Sequence, residues 1–485
     1  MDKMDEKINK DAWISLIILS SIALVTMYGE TMLLPAIPDL VREFDISYNT
    51  SSWVLTAYLI TGAVMTPIAG KLSDIYGKKK VLIIIMIIYS IGTLLGGLSN
   101  NIMIMIISRV IQGIGLAMFP VAFGIIREKF PENKLAIGQG IFTAVFAGGS
   151  VVGLGLGATI IEHFGWRMTF LSIVPFAVIL FFIIIKFIHV ISEKLTSKIE
   201  NGIDIKGTIT LIVMVTSFLI ALTLLPDSIF EHKNSNNNMI ITIVLFGLSL
   251  ALLPLFILIE KKAKSPLINT QLLKDVILLP TNILIMTVGI SIFIIYQTIP
   301  ILIQSPLPSG FGGSPVDTAS VQLPFMLLTL IISVSAGFLI SRIGNIKPTI
   351  AGSIISTIGF FLLFVYHSNE FIIALELSII AIGLSLIEIG SFNIALVSPP
   401  LHLSGTSLGI TMLLFLIGMS IGPTISGIYL ESFQITIKGI TGSYPSALSY
   451  NMIFLTAVLI SVFSIILTLI VTRKLMIGEP EKNRY

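Results

Sequence analysis

Fourteen apolar runs, each near or above the length that crosses a bilayer, constrain this chain more than any other feature. They lie near 13–35, 51–70, 81–99, 102–126, 135–160, 168–189, 207–225, 239–259, 276–303, 318–341, 349–366, 371–396, 406–428 and 448–472. A helix crossing roughly 30 Å of hydrocarbon needs about 20 such residues. The expected fold is therefore an all-α membrane protein of 14 transmembrane helices. Charged residues make up only 11% of the chain, against roughly 25% in soluble domains, so a water-soluble body of this size is excluded. The first run, from Trp13, lacks a small-residue cleavage site and reads as a retained span, not a signal peptide.

Lysine and arginine set the orientation. With the N-terminus inside, the inner segments carry 24 of the 29 basic residues. The outer segments hold only Arg42, Arg167, Lys233 and Lys438, and Arg109 lies within a span. That bias places both termini in the cytoplasm of a cell (inner or plasma) membrane. The small net charge of +3 thus reports topology and not nucleic-acid binding. Absence of cysteine removes disulfides, thiolate metal sites and thiol nucleophiles.

Glycine-rich landmarks recur at a nearly constant offset. Tyr28 returns as Tyr296, 268 residues on; Gly70 and Gly77 return as Gly337 and Gly344, 267 on. Gly115 returns as Gly383 (268), and the pair Gly149 and Gly153 as Gly418 and Gly422 (269). Spans 1–6 (residues 1–189) and 9–14 (276–485) read as two copies of a six-helix unit, with residues 190–275 inserting a two-helix hairpin. Parallel repeats of this kind suit secondary transporters, whose substrate site lies between the halves near the midplane.

Specific residues carry a family resemblance. Trp53-Val-Leu-Thr-Ala-Tyr58 precedes Gly70-Lys-Leu-Ser-Asp74-Ile-Tyr-Gly77-Lys78-Lys-Lys80, which resembles the span 2–3 signature of the major facilitator superfamily. Arg109-Val-Ile-Gln112-Gly113-Ile-Gly115 is similar to its span 4 motif. Gly149-x3-Gly153-x3-Gly157, followed by Phe164-Gly-Trp-Arg167, resembles its antiporter motif. Fourteen spans, with Glu260 followed by Pro266-Leu267, look like the drug:proton antiporters of the EmrB/QacA type. The chain departs from that pattern in three places. Glu30 stands where the family usually has aspartate, Ile75 replaces arginine, and Leu154 replaces proline, although Gly422-Pro423 is kept in the repeat.

Four charged residues fall well inside the expected spans: Glu30, Arg109, Glu376 and Glu388. Intramembrane charges cost roughly 2.5–3.5 kcal/mol even on the mild insertion scale, and they mark cavities, ion paths or partners. Glu30 and Arg109 lie roughly 8–11 Å below the outer surface by helical rise, close enough in depth to pair. The resemblance makes spans 1 and 4 neighbours, so the pair is expected to carry proton coupling or, alternatively, to lock two helices permanently. Glu376 and Glu388 are about 120° apart on span 12 and are expected to border a wide substrate cavity, with Gln112, Tyr296 and Gln297 as further contacts.

The gating assignment follows the motifs. Gly149, Gly153, Gly157, Gly418, Gly422 and Pro423 are expected to let helices approach closely, and the resemblance implies that they do so at the interface of the halves. Gly70, Asp74, Gly77 and Lys78 are expected in a tight inner loop, with Asp74 facing the start of span 13 near 404–407. No metal cluster, nucleophile–base pair or phosphate loop is evident, so no cofactor or resident metal is expected and the chain is not an enzyme. The resemblance implies a monomeric secondary transporter, exporting amphipathic or cationic compounds against protons by alternating access. A dedicated metabolite or lipid transporter of the same fold is the alternative. A polytopic enzyme would need a polar catalytic loop, and a channel fits the twofold repeat less well.

Overall fold

The computed structural model describes residues 8–131, 135–188, 204–230, 235–263, 272–399, 404–438 and 442–478. Fourteen helices among them are long and apolar enough to cross a membrane. Spans 1–6 are Lys10–Thr31, Tyr48–Tyr76, Lys78–Gly97, Ile102–Gly113 continued by Met118–Lys129, Leu135–Phe164 and Arg167–Phe187. Spans 7 and 8, Ile205–Phe230 and Ser235–Lys262, form the inserted hairpin. Spans 9–14 are Leu278–Gln304, Pro315–Ile343, Ile346–Val365, Glu370–Val397, Ser404–Ser432 and Ala447–Gly478. An even number of crossings puts both termini at one end of the bundle, here called the terminal end; the other is the distal end.

Local chemistry explains where helices begin and break. Even-numbered spans 2, 4, 10 and 12 start at the distal end, each with a polar cap: Ser47 accepts from the Thr50 amide (3.0 Å), Asn101 from Ile104 (2.9 Å), Ser314 from Asp317 (3.2 Å) and Asn369 from Phe371 (2.8 Å). These caps satisfy amides that have no partner in the first helical turn. Span 1 ends earlier than the apolar run suggests, at Thr31, and the chain resumes as Ile37–Phe44. Pro35 and Pro38, which lack an amide donor, sit at the starts of the two short helical pieces that follow. Span 4 tightens into a 3-10 turn at Ile114–Ala117, directly after Gly113, whose backbone packs on the Tyr58 carbonyl of span 2.

Three expectations change. The 226–238 stretch, left between the expected spans 7 and 8, is helical at 226–230 and 235–238, because those spans extend to Phe230 and back to Ser235; 231–234 lie outside the described residues. Its asparagine-rich run prolongs a helix already nucleated by the apolar residues beyond it. The connection between spans 13 and 14 contains an antiparallel β-hairpin, Gln434–Thr436 against Ser443–Pro445, a short element that the apolar pattern could not signal. Asp74 lies in the last helical turn of span 2, and only Gly77, at φ +91°, makes the turn into span 3. The side chain of Asp74 and residues 400–403 lie outside the described residues, as does the side-chain placement at 404–406.

Glycine governs how the halves are built. An added Cβ at Gly149, Gly153 or Gly157 would lie 2.6, 2.9 and 2.7 Å from the carbonyl oxygens of Leu24, Tyr28 and Met32. Those distances admit only glycine, so span 5 lies directly on span 1, within one half and not at the interface of the halves. Span 13 repeats the arrangement on span 9, with Gly418 against Met286 and Gly422 against Ile290. This contact register makes Ile290, and not Tyr296, the counterpart of Tyr28. Between spans 3–4 and 11–12 the sequence offset is kept: Gly92 meets the Gln112 backbone as Gly359 meets that of Ile380.

Candidate functional site

Arg109 is fixed at the centre of the first half. It is fully buried, and its Nε donates to the Val54 carbonyl of span 2 at 2.8 Å. Its Nη1 donates to the Gly29 carbonyl of span 1 (2.9 Å) and to Gln112 Oε1 (2.6 Å). The guanidinium also lies over the Tyr58 ring, 4.3 Å from its centroid, a favourable cation–π geometry. Gln112 is held in turn by donating from Nε2 to Thr93 Oγ1 at 3.1 Å. Gln112, expected as a substrate contact, bonds here to Arg109 and Thr93.

Glu30 sits one residue beyond the carbonyl that Arg109 holds. It is 1% exposed, and neither carboxyl oxygen has a hydrogen-bond partner. Arg109 Nη2 is likewise buried and unpaired. The expected neighbourhood of spans 1 and 4 is therefore present, with the cation bound to backbone and amide instead of the carboxylate. Such a carboxyl keeps its acceptor sites open to a proton or a cationic ligand, since satisfied acceptors would not be.

From the second half, Tyr296 and Glu388 come near this group, while Gln297 bonds to the seam. The Tyr296 phenol is within electrostatic reach of both Glu30 and Glu388, and its ring packs between Phe293 and Phe325. Glu388 keeps partial exposure deep in span 12. Gln297 donates to Ser51 Oγ of span 2 at 3.0 Å, while its Oε1 is buried and unpaired. Glu376 is 4% exposed, with Oε2 buried and unpaired. It sits at the residue before Leu377, the position that repeats Arg109.

Around this site the halves meet at the distal end. Tyr48 donates its amide to Glu431 Oε2 (3.1 Å), Gln304 Nε2 donates to the Pro35 carbonyl (2.7 Å), and Thr56 Oγ1 donates to the Ser420 carbonyl (3.3 Å). Span 7 braces the same seam, its Thr223 carbonyl accepting from Asn49 Nδ2 at 3.1 Å. Toward the terminal end, Gly140 and Gly148 of span 5, Gly337 of span 10 and Gly409 of span 13 have no atom within 4 Å of an added Cβ. Among the described residues, the cross-half bonds hold the bundle closed at the distal end.

The remaining motif residues shape the terminal end. Gly70 lets span 2 approach Pro120 of span 4, 3.4 Å from its Cβ position. Lys78 pairs with Glu128, and Lys129 with Asp11, tying spans 3, 4 and 1 together. Sequence reasoning missed the seam residues Ser51, Thr56, Gln304 and Glu431, and the positioning roles of Val54 and Tyr58. One signal was available: Gln297 and Gln304, seven residues apart, share one face of an otherwise apolar span 9.

Comparison with known proteins agrees with this architecture. The chain is 30% identical to Multidrug resistance protein 3 of Bacillus subtilis over 76% of this chain and 68% of that protein. It is 30% identical to the multidrug transporter protein MdtP of the same organism, over 68% and 58%. It is also 27% identical to the riboflavin transporter RibZ of Clostridioides difficile, over 69% of each chain. The fold matches that of the human organic anion transporter MFSD10 with a TM-score of 0.65 at 14% identity, covering 94% of this chain and 99% of that one. An auto-inhibited POT family peptide transporter matches with a TM-score of 0.64 at 12% identity, over 96% of each. A family model described as Major Facilitator Superfamily matches residues 19–423. The chain is therefore a membrane transporter belonging to the Major Facilitator Superfamily.

Proposed function

We propose that this protein exports amphipathic, cationic compounds in exchange for protons, by alternating access between its two six-helix halves. The observation that carries the reading is Glu30: a buried carboxyl with both oxygens unpaired, beside a cation immobilised on other groups. A proton and a cationic substrate compete for such a carboxyl, which is the minimum needed for exchange. The names of the multidrug relatives support the substrate class. Charge bias puts the terminal end in the cytoplasm, so the bonded distal seam lies on the outer side. One proton moving through about 100 mV supplies roughly 2.3 kcal/mol, enough for about a fifty-fold gradient of a neutral compound at roughly 1.4 kcal/mol per decade.

The likeness to RibZ favours a second reading, transport of one dedicated metabolite. Thermal stabilisation of the purified protein by a panel of lipophilic cations, anions, neutral lipids and riboflavin separates the two. Stabilisation by several unrelated cations is expected. A response to one metabolite alone would favour the dedicated transporter.

A further inference from the structure

On the flank of the second half, away from the Glu30 group, a groove of about 510 Å³ opens between spans 10 and 12. Its walls are Ile332, Ala336 and Leu339 of span 10 and Ile382 and Leu386 of span 12, with Arg342 at its terminal-side mouth. Ser335 also lines it, but its hydroxyl already donates to the Ile331 carbonyl at 2.8 Å. Beside it, Ser385 Oγ donates to the Thr329 carbonyl at 3.5 Å and draws the two spans together.

We infer that this groove holds one acyl chain of an anionic phospholipid whose phosphate is bound by Arg342. Three observations fit that occupant. From Ile332 to Arg342 the helix rises roughly 15 Å, half of the roughly 30 Å hydrocarbon core, so the groove spans one leaflet. Its apolar wall lies within a membrane-crossing segment, where neighbouring chains are lipid tails. Arg342 is exposed in the last turn of span 10, and Lys347, also exposed, lies just across the turn at Gly344. Two cations at the headgroup level above an apolar slot are complementary to a phosphodiester on a hydrocarbon chain, and basic pockets between spans bind anionic headgroups in this way.

The test is native mass spectrometry of the full-length purified protein titrated with dioleoylphosphatidylglycerol or dioleoylphosphatidylcholine. The glycerol lipid is expected to bind more tightly. Arg342→Gln is expected to weaken it about five-fold, the equivalent of about 1 kcal/mol per interfacial cation, with Lys262→Gln unchanged. Ala336→Phe, which fills the slot, is expected to weaken both lipids. Equal binding of the two lipids, unchanged binding in Arg342→Gln, or unchanged binding in Ala336→Phe would each overturn the assignment. Full displacement by glycerol phosphate alone would also overturn it, because the site would then recognise phosphate without a chain.

Discussion

Arg109 holds the carbonyl of Gly29 at 2.9 Å, the peptide group that leads into Glu30, and leaves the Glu30 carboxyl unbonded. The cation is thereby a fixed part of the scaffold, bound to spans 1, 2 and 4 at once, while the acid beside it remains free to change partners. A direct ion pair would have closed both. The proposed exchange role thus falls to Glu30, and the scaffold role to Arg109.

That division predicts opposite stability effects. Arg109→Ala removes three charge-assisted hydrogen bonds, each worth about 1.5–3 kcal/mol, and is expected to lower the thermal midpoint of the detergent-solubilised protein sharply. Glu30→Gln removes an unbonded acid and is expected to leave the midpoint unchanged or raise it. Gln112→Leu should fall between the two. A midpoint for Arg109→Ala equal to that of the parent would show that the guanidinium does not organise the three spans.

The distal seam is open to covalent trapping. An added Cβ at Gly427 lies 3.2 Å from the Asn49 Cα, within reach of disulfide geometry, which needs Cβ atoms about 3.5–4.5 Å apart. The chain has no cysteine of its own, so the pair Asn49→Cys with Gly427→Cys is a clean probe. Oxidation is expected to cross-link spans 2 and 13 and arrest transport, and reduction to restore it. Full transport in the cross-linked protein would rule out distal opening.

Glycines in the same span are expected to respond differently. Gly153→Ala places a methyl against the Tyr28 backbone at about 3 Å and should cost about 1–3 kcal/mol through overpacking. Gly148→Ala meets open space and should be neutral or slightly stabilising in a helix. Paired thermal-unfolding curves check this; equal losses would remove close approach as the reason for the motif.

Orientation is tested by labelling single cysteines in intact cells. A membrane-impermeant thiol reagent is expected to modify Ser235→Cys, at the distal start of span 8, and to spare Lys262→Cys at its terminal end. The reverse pattern would invert the topology.

Much of this fold was legible because hydrophobic length is a direct physical requirement of the bilayer. The fourteen spans follow from residue type alone, as does close helix approach at Gly149, Gly153 and Gly157, but not that span 1 of the same half is their partner. The break after Thr31 was less visible, although Pro35 and Pro38 signalled it, because the surrounding run stays apolar. Glu30 and Arg109 stood out as intramembrane charges, but their bonding could not be read. Arg109 binds backbone carbonyls of Val54 and Gly29, and main-chain acceptors leave no mark in sequence. Gln297 was visible as a polar residue in span 9, while its partner Ser51 lies 246 positions away and is known only once the halves are packed together.

The central claim is that Glu30 carries the exchanged proton. Substrate-induced proton movement in proteoliposomes with an imposed pH gradient measures it most directly. Glu30→Gln keeps the size of the side chain but cannot release a proton, so coupled flux is expected to collapse while ligand binding partly survives. Glu30→Asp is expected to keep part of the flux. Coupled flux at the parental level in Glu30→Gln would contradict the account and move the proton to Glu376 or Glu388.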